Sequence, residues 1–125
     1  VGLFSAYTPK EEGIKFYYNL EEAKKVAKAE NKLIFLDGYA SWCGPCKMMD
    51  RKVFSNSSVG AFYNEHFISV KIDMDKNARL RNFYKVRAYP TLLYLNADGE
   101  IISKKVGYHD SEDFVELGEK AKSKS

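Results

Sequence analysis

Apolar and polar residues alternate along the chain with two different periods, which predict strands and helices in turn. The continuous apolar run at 33–36 is typical of a strand that is buried on both faces, and we take it as the central strand. Residues 20–30 instead carry an apolar stripe at helical spacing, with Asn19 as the N-cap. The same reasoning predicts the order βαβαβαββα, with elements at 14–18, 20–30, 33–36, 43–54, 67–73, 77–84, 91–95, 101–106 and from 111 onward.

Short polar breaks separate these elements. The run at 55–58 ends the helix that contains both cysteines and caps a further short helix at 59–65. Asp98-Gly99 is a hairpin signal between the last two strands. The last helix starts at Ser111, and the side chains that it is expected to turn inward are Phe114, Val115 and Leu117.

We predict one domain over residues 1–125, because a chain of 14.3 kDa can build one core and is too short for two ordinary domains. It divides into a lead-in with a short strand at 1–18, a core at 19–121 and a frayed, lysine-rich tail at 122–125. The predicted fold class is α/β, with helices on both sides of a central mixed sheet.

Charge and hydropathy argue against nucleic-acid binding and against a membrane-spanning segment. A formal net charge of +3 comes from 20 basic and 17 acidic residues scattered along the chain, which gives no case for nucleic acid. No run approaches the ~18 consecutive apolar residues of a membrane span. The chain begins at Val1, not at methionine. We interpret this as a mature or trimmed form whose targeting signal, had one existed, has been removed.

Both cysteines lie in the run Trp42-Cys43-Gly44-Pro45-Cys46-Lys47, after the apolar strand. Thiol–disulfide exchange needs an attacking thiolate and a second thiol close enough to resolve the mixed disulfide. Two intervening residues at the first turn of a helix meet that need, because the helix N-terminus stabilises a thiolate. Two alternatives stay open. A structural disulfide would close too short a loop to stabilise much, and a zinc site would need the distant His66 and His109.

Several motifs in order resemble the thioredoxin superfamily over residues 19–121. The cysteine run at 42–47 is similar to the active site of thioredoxin itself, 36–41 to the family's strand with a buried aspartate, and 86–91 to its cis-proline loop. Gly107 stands where the family often has a glycine beside the active site. Residues 46–73 further resemble a branch of thioredoxin-like disulfide reductases, many of which are exported in bacteria. The resemblance implies a thioredoxin fold.

Four residues are expected to be catalytic. Cys43, at the exposed start of the helix, would attack as a thiolate, and Cys46 would resolve the mixed disulfide. Asp37, at the end of the apolar run, would accept the proton of Cys46, because burial raises the pKa of a carboxyl; a helix or turn cap is its alternative role. Lys71 resembles the lysine that pairs with this aspartate in the family, with a solvated strand lysine as the alternative.

Substrate binding is expected to involve Trp42, Gly44, Pro45, Tyr89, Pro90 and Gly107. Pro90 should follow a cis peptide bond, which would turn the Tyr89 main chain toward the sulfurs to pair with an extended substrate strand. Tyr89 departs from the family's small β-branched or apolar residue, and either narrows the groove or only packs on the surface. Trp42 is expected to form a groove wall beside Cys43, with a place in the core as its alternative.

The interval Gly44-Pro45 resembles that of reducing family members and lacks the histidine of oxidising members. We therefore predict a protein-disulfide reductase that takes part in electron transport through its own redox-active disulfide, with no other cofactor and no metal. A disulfide isomerase or chaperone-like protein of the same fold is the alternative. A binding module without redox function would have lost a cysteine or the proline, and a peroxidase or glutathione transferase would need a different set of residues.

The predicted chemistry also implies partners and a location. We expect disulfide-containing proteins as substrates, an upstream thiol donor or reductase that restores the dithiol, and a monomeric protein. Export to the periplasm of a bacterium is the favoured location, and the cytoplasm is the alternative.

Overall fold

The computed structural model describes residues 12–125, which form a five-stranded mixed sheet with helices on both faces. The strands are β1 (Phe16–Tyr17), β2 (Leu33–Tyr39), β3 (Phe67–Asp73), β4 (Thr91–Leu95) and β5 (Ile101–Val106). The helices are α1 (Leu20–Glu30), α2 (Gly44–Met48), α3 (Ser57–His66), α4 (Ala78–Phe83) and α5 (Ser111–Lys124), and a π-helical segment (Met49–Phe54) continues α2. The predicted α/β fold class is confirmed, while the predicted lead-in lies outside the described residues as far as residue 11.

The strand order β1-β3-β2-β4-β5 places β2 at the centre of the sheet. β2 runs parallel to β3 and antiparallel to β4, while β1 pairs with β3 and β5 with β4. The prediction that the apolar run at 33–36 is the central strand is confirmed, and its unbroken hydrophobicity reflects burial on both faces. The register places Asp37 of β2 beside Lys71 of β3.

Side chains of the central strand alternate between two apolar layers. Ile34 and Leu36 pack with the buried stripe of α1, which confirms the apolar face predicted for that helix. Phe35 faces the other layer, with the π-helical segment, α3 and α5, and its ring lies 5.0 Å from that of Phe114. Because neighbouring strand residues point to opposite faces, Asp37 points to the same side as Phe35, toward the π-helical segment.

Several predicted boundaries change in the region of the cysteines. β2 continues to Tyr39, so Asp37 lies inside a paired strand, and the alternative of a turn or helix cap is wrong. The helix predicted at 43–54 is α-helical only to Met48 and then widens into the π-helical segment, a difference that apolar spacing does not reveal. α3 starts two residues early, because the Asn56 side chain accepts hydrogen bonds from the N–H groups of Ser58 and Val59.

The two ends of the described chain also differ from the prediction. β1 is shorter than 14–18, since only Phe16 and Tyr17 pair with β3. At the C-terminal end, α5 continues to Lys124, past the core boundary predicted at residue 121, and the Lys122 ammonium lies 2.9 Å from His66 Nδ1 of α3. None of the helices in residues 12–125 is long and apolar enough to cross a membrane.

Candidate active site

The two cysteines lie where β2 leads into α2. Cys43 is the N-cap of α2, and Pro45 occupies the first turn, where the N–H that proline lacks would have no intrahelical partner. The two sulfurs form a disulfide, and the Cα atoms lie 5.3 Å apart. The backbone N–H of Cys46 donates to Cys43 Sγ over 3.1 Å. The start of the helix therefore aims a hydrogen-bond donor at the sulfur of Cys43, which also suits a thiolate.

Cys43 is not exposed in this disulfide form, contrary to the sequence-based prediction. Only 3% of Cys43 and 4% of Cys46 are exposed, so burial does not distinguish an attacking from a resolving sulfur. Ala40 and the two cysteines form a buried cluster, and Tyr39 and Tyr89 pack against that cluster. The prediction failed because residues outside the cysteine motif, Tyr39 at the end of β2 and Tyr89 in the loop before β4, pack against this cluster.

The interval between the cysteines leaves open surface beside them. Gly44 and Pro45 are both exposed, and a Cβ added at Gly44 would meet no atom within 4 Å.

Gly107 has a left-handed φ of +97°, a backbone conformation that favours glycine at this position. Its N–H donates to the carbonyl oxygen of Pro90 over 2.8 Å. The fold thus brings Gly107 next to Pro90, although 16 residues of chain, including two strands, lie between them.

Trp42 and Tyr89 form an aromatic wall beside the disulfide. Trp42 is 66% exposed, so its alternative place in the core is wrong, and its ring meets that of Tyr89 edge to face with centroids 5.5 Å apart. Asp75 accepts a hydrogen bond from Trp42 Nε1 over 2.6 Å and a longer one from the Tyr89 hydroxyl over 3.5 Å. The peptide bond between Tyr89 and Pro90 is cis. The Asp75 carboxylate therefore fixes the Trp42 ring, and the Tyr89 ring packs against it.

More apolar surface adjoins Gly107 on the other side of Pro90. Val106 is 51% exposed and Tyr108 is 37% exposed, and Val106 pairs in the sheet with Thr91, the residue after Pro90. Sequence reasoning missed both residues, because an outward apolar side chain at the end of an edge strand carries no local signal of a site. Together with the aromatic wall, these side chains give the region around the disulfide an apolar surface suited to protein contacts.

Asp37 is a buried carboxyl with one partner. The residue is 1% exposed, and its Oδ2 accepts a hydrogen bond from the Lys71 ammonium over 2.7 Å, whereas Oδ1 has no partner among the described residues. Burial raises the pKa of Asp37 from 3.8 to about 6, although the charge and hydrogen bond of Lys71 oppose the rise. The carboxyl can thus exchange a proton close to neutral pH, as a general base must.

Lys71 is not a solvated strand lysine. Its side chain is 14% exposed, and its ammonium lies 4.9 to 5.1 Å from the ring centroids of Phe16, Tyr39 and Phe54. The same ammonium donates to Asp50 Oδ1 over 2.6 Å. Burial lowers the pKa of Lys71, but the two carboxylates outweigh that effect and raise it. Lys71 is therefore a cation held between two carboxylates.

Asp50 and Asp75 are the polar residues that sequence reasoning did not single out. Asp50 follows Cys46 by four residues on the same helical run, a spacing that places two side chains on one helix face and could have drawn attention to it. Asp75 follows β3 and reaches Trp42 only through the tertiary fold, so nothing local in the sequence marked it.

No group of three or more His, Cys, Asp or Glu side chains within residues 12–125 is placed to hold a metal ion. The two histidines of the zinc alternative have other neighbours: His66 lies beside Lys122, and His109 Nδ1 lies 3.0 Å from the carbonyl oxygen of Gly107.

Comparison with known proteins points to one family. Residues 20–122 match the family model of the thioredoxin-like domain. Thioredoxin-1 of Drosophila melanogaster is 41% identical over 80 residues, which cover 64% of this chain and 72% of the relative. Thioredoxin-1 of Drosophila yakuba is 44% identical over 72 residues, which cover 58% of this chain and 64% of the relative. The matched region thus spans about two thirds of these relatives' length.

Solved structures agree with the family match. A candidate disulphide isomerase from Bacteroides thetaiotaomicron superposes with a TM-score of 0.78 at 38% identity, covering 90% of this chain and 96% of the other. The DsbH oxidoreductase also superposes with a TM-score of 0.78, covering 93% of this chain and 91% of the other, but at 21% identity that likeness shows the fold alone.

Proposed function

The chain belongs to the thioredoxin-like family of thiol–disulfide oxidoreductases, and from that premise we propose that it is a protein-disulfide reductase. The observation that carries the proposal is the bonded pair Cys43–Cys46 at the start of a helix, on a fold that also buries the carboxyl of Asp37. Membership of this family favours a redox-active pair over a purely structural disulfide. The exposed Gly44-Pro45 interval resembles that of the family's reducing members.

The proposed reaction has two exchange steps. In the dithiol form, the Cys43 thiolate attacks one sulfur of the substrate disulfide, so that a mixed disulfide forms and one substrate thiolate leaves. Cys46 then gives its proton to Asp37, and its thiolate attacks Cys43 Sγ, which releases the second substrate thiolate and restores the Cys43–Cys46 disulfide. Asp37 returns its proton to solvent, and an upstream thiol donor supplies the two electrons for the next cycle.

Substrate recognition is proposed to combine main-chain pairing with apolar contact. The main chain at Tyr89, before Pro90, would pair with an extended substrate segment, while Trp42 and the exposed Val106 and Tyr108 would contact its side chains. Because main-chain pairing carries little sequence information, we propose that the substrates are disulfide-containing proteins as a class.

The direction of electron flow is tested by the reduction potential. We expect equilibration with glutathione to give a potential near ~−270 mV, the region of reducing thioredoxins, and we expect the dithiol form to reduce insulin. A potential close to the ~−120 mV of strong oxidants would overturn the proposal.

A disulfide isomerase is the second candidate, because a solved structure with that description is 38% identical to this chain. Refolding of a protein with scrambled disulfides separates the two functions. A reductase yields the reduced substrate and native pairing stays slow, whereas an isomerase restores native disulfides at a rate that exceeds its rate of net reduction.

Tyr89 is proposed to narrow the groove, since it packs against the cluster of Ala40 and the two cysteines and its ring meets that of Trp42. Tyr89→Val should raise kcat/KM for insulin about threefold, a barrier change well below 1.4 kcal/mol, and leave the rate with a small aromatic disulfide nearly unchanged. Tyr89→Phe keeps the ring and should match the wild type with both substrates. Tyr18→Val, at a tyrosine that is 72% exposed and has no contact with the cysteine cluster, is the control. Equal or slower insulin reduction by Tyr89→Val would contradict a narrowing role.

A further inference from the structure

The Lys71 ammonium is shared by two carboxylates that differ in their access to water. Asp37 Oδ2 lies 2.7 Å away and its side chain is 1% exposed, whereas Asp50 Oδ1 lies 2.6 Å away and its side chain is 46% exposed. One carboxylate comes from the central strand and the other from the π-helical segment. The ammonium therefore joins a buried acid to an acid at the surface.

Within residues 12–125, the surroundings of Lys71 offer little else to a positive charge. Its side chain is 14% exposed, and three aromatic rings lie around the ammonium, those of Phe16, Tyr39 and Phe54. Ring faces attract a cation, but far less than an ionised carboxylate within hydrogen-bond distance does. If Asp50 were absent, loss of the charge on Asp37 would leave a buried ammonium without an anionic partner, which is strongly unfavourable.

Building on the proposed reductase function, we propose that Asp50 is a positioning residue, which keeps the Lys71 ammonium paired while Asp37 takes up and releases the proton of Cys46. When Asp37 is protonated, Lys71 stays charged and remains bonded to Asp50 at the surface. When Asp37 gives the proton to solvent, the ammonium is already in place to pair with it again. Asp50 thus lowers the free-energy cost of protonating Asp37 without touching the sulfurs.

The charges around Asp37 shift its pKa in the direction that this role requires. The negative charge of Asp50 raises the pKa of Asp37, and Lys71 lowers it. Removal of Asp50 would take away the effect that raises the pKa. Among the described carboxylates, Lys71 would then pair with Asp37 alone, which strengthens the effect that lowers the pKa. Both changes make Asp37 a weaker base. The Tyr39 side chain of β2 also lies beside Lys71. Burial and the charge of Asp73 raise the pKa of its hydroxyl, so Tyr39 stays neutral at the pH values at which Asp37 titrates.

The test is Asp50→Asn in an otherwise unchanged protein. The ¹³C-NMR titration midpoint of the Asp37 carboxyl should fall by about half a unit to one unit, in keeping with the loss of one nearby charge. In stopped flow, the dithiol protein reacts with a chromogenic aromatic disulfide and releases two thiolates, first on attack by Cys43 and then on resolution by Cys46. The second release should slow about two- to threefold at neutral pH, and its acidic limb should move to lower pH with the titration.

Three further variants separate positioning from a general loss of charge or structure. Asp50→Glu keeps a carboxylate and should restore both the titration midpoint and the second release. Asp98→Asn removes an exposed carboxylate whose one ion pair within the described part of the chain is with Lys28, over 3.3 Å, and should change neither. Lys71→Met should move the Asp37 midpoint upward, in the direction opposite to Asp50→Asn.

An Asp37 midpoint that is unchanged or higher in Asp50→Asn would overturn the positioning role, whatever the activity. A failure of the proposed function looks different, because the wild-type dithiol would then not reduce insulin, while the titration would still report how Asp50 and Lys71 act on Asp37.

Discussion

Replacement of Cys43 by serine is expected to abolish the reduction of protein disulfides, with a loss of at least about a thousandfold in rate. A serine hydroxyl is not ionised at neutral pH and is a poor nucleophile toward sulfur, so the first exchange step has no attacking group. Insulin precipitation and the release of a chromogenic thiolate from an aromatic disulfide both measure the loss. Neither should rise above the rate of the uncatalysed reaction.

The matching variant, Cys46→Ser, is expected to fail at a different step. Cys43 can still attack, so one thiolate is released at a rate close to that of the wild type, and the protein then remains bound to the substrate as a mixed disulfide. Mass spectrometry of the acid-quenched reaction should show the adduct on Cys43. Substrate proteins captured in this way from an extract would identify the physiological partners.

This pair of variants decides a question that burial leaves open, since the two cysteines are equally covered in the disulfide form. If Cys43→Ser trapped the mixed disulfide and Cys46→Ser were inactive, the order of attack would be the reverse of the proposed one. If either variant matched the wild type in insulin reduction, the assignment of the pair as the reacting groups would be wrong.

Much of the fold could be predicted because local sequence features mark its strands and turns. β3, β4 and β5 have the predicted bounds. β3 and β4 are compact, largely apolar runs between clear breaks, whereas β5 is located by the Asp98-Gly99 turn that returns the chain beside β4. Asn19 caps α1 as predicted, with its side chain accepting from the N–H of Glu22 over 2.9 Å. These features depend on residues close to one another in sequence.

The features that could not be predicted depend on contacts between distant segments. Tyr89 packs against the buried cysteine cluster from the loop before β4, and Lys71 has its second carboxylate because the π-helical segment brings Asp50 over β3. Neither contact leaves a periodic pattern. The apolar spacing of Met49, Val53 and Phe54 suits an α-helix and a π-helix alike, so the position of Asp50 could not be derived from it.

The burial of Asp37 predicts a protein whose stability depends on pH through one carboxyl. The pKa of Asp37 is 3.8 before burial and about 6 in the folded protein, so the folded state binds its proton more tightly than the unfolded state. Its contribution to stability is therefore complete below about pH 3.8 and is lost as the pH rises through about 6. At 1.36 kcal/mol per unit, the loss amounts to about 3 kcal/mol at pH 7.5.

Asp37→Asn removes this penalty, because an amide carries no charge to desolvate, and Lys71 keeps Asp50 as its partner. In urea unfolding of the disulfide form, we expect the variant to exceed the wild type by about 3 kcal/mol at pH 7.5, with the difference shrinking toward zero near pH 4. Asp98→Asn should show no such growth with pH. A difference between Asp37→Asn and the wild type that stayed constant from pH 4 to 7.5 would contradict the raised pKa.

Asp37→Asn should also slow catalysis, although it stabilises the protein. A gain in stability together with a loss of rate would show that Asp37 serves the reaction and not the stability of the fold. Without the carboxylate, Cys46 must lose its proton to water, and release of the second thiolate in stopped flow should slow roughly ten- to a hundredfold. The first release depends on Cys43 and should change much less. A variant that gained stability with no slowing of the second release would show that the buried carboxyl of Asp37 is not the base that serves Cys46.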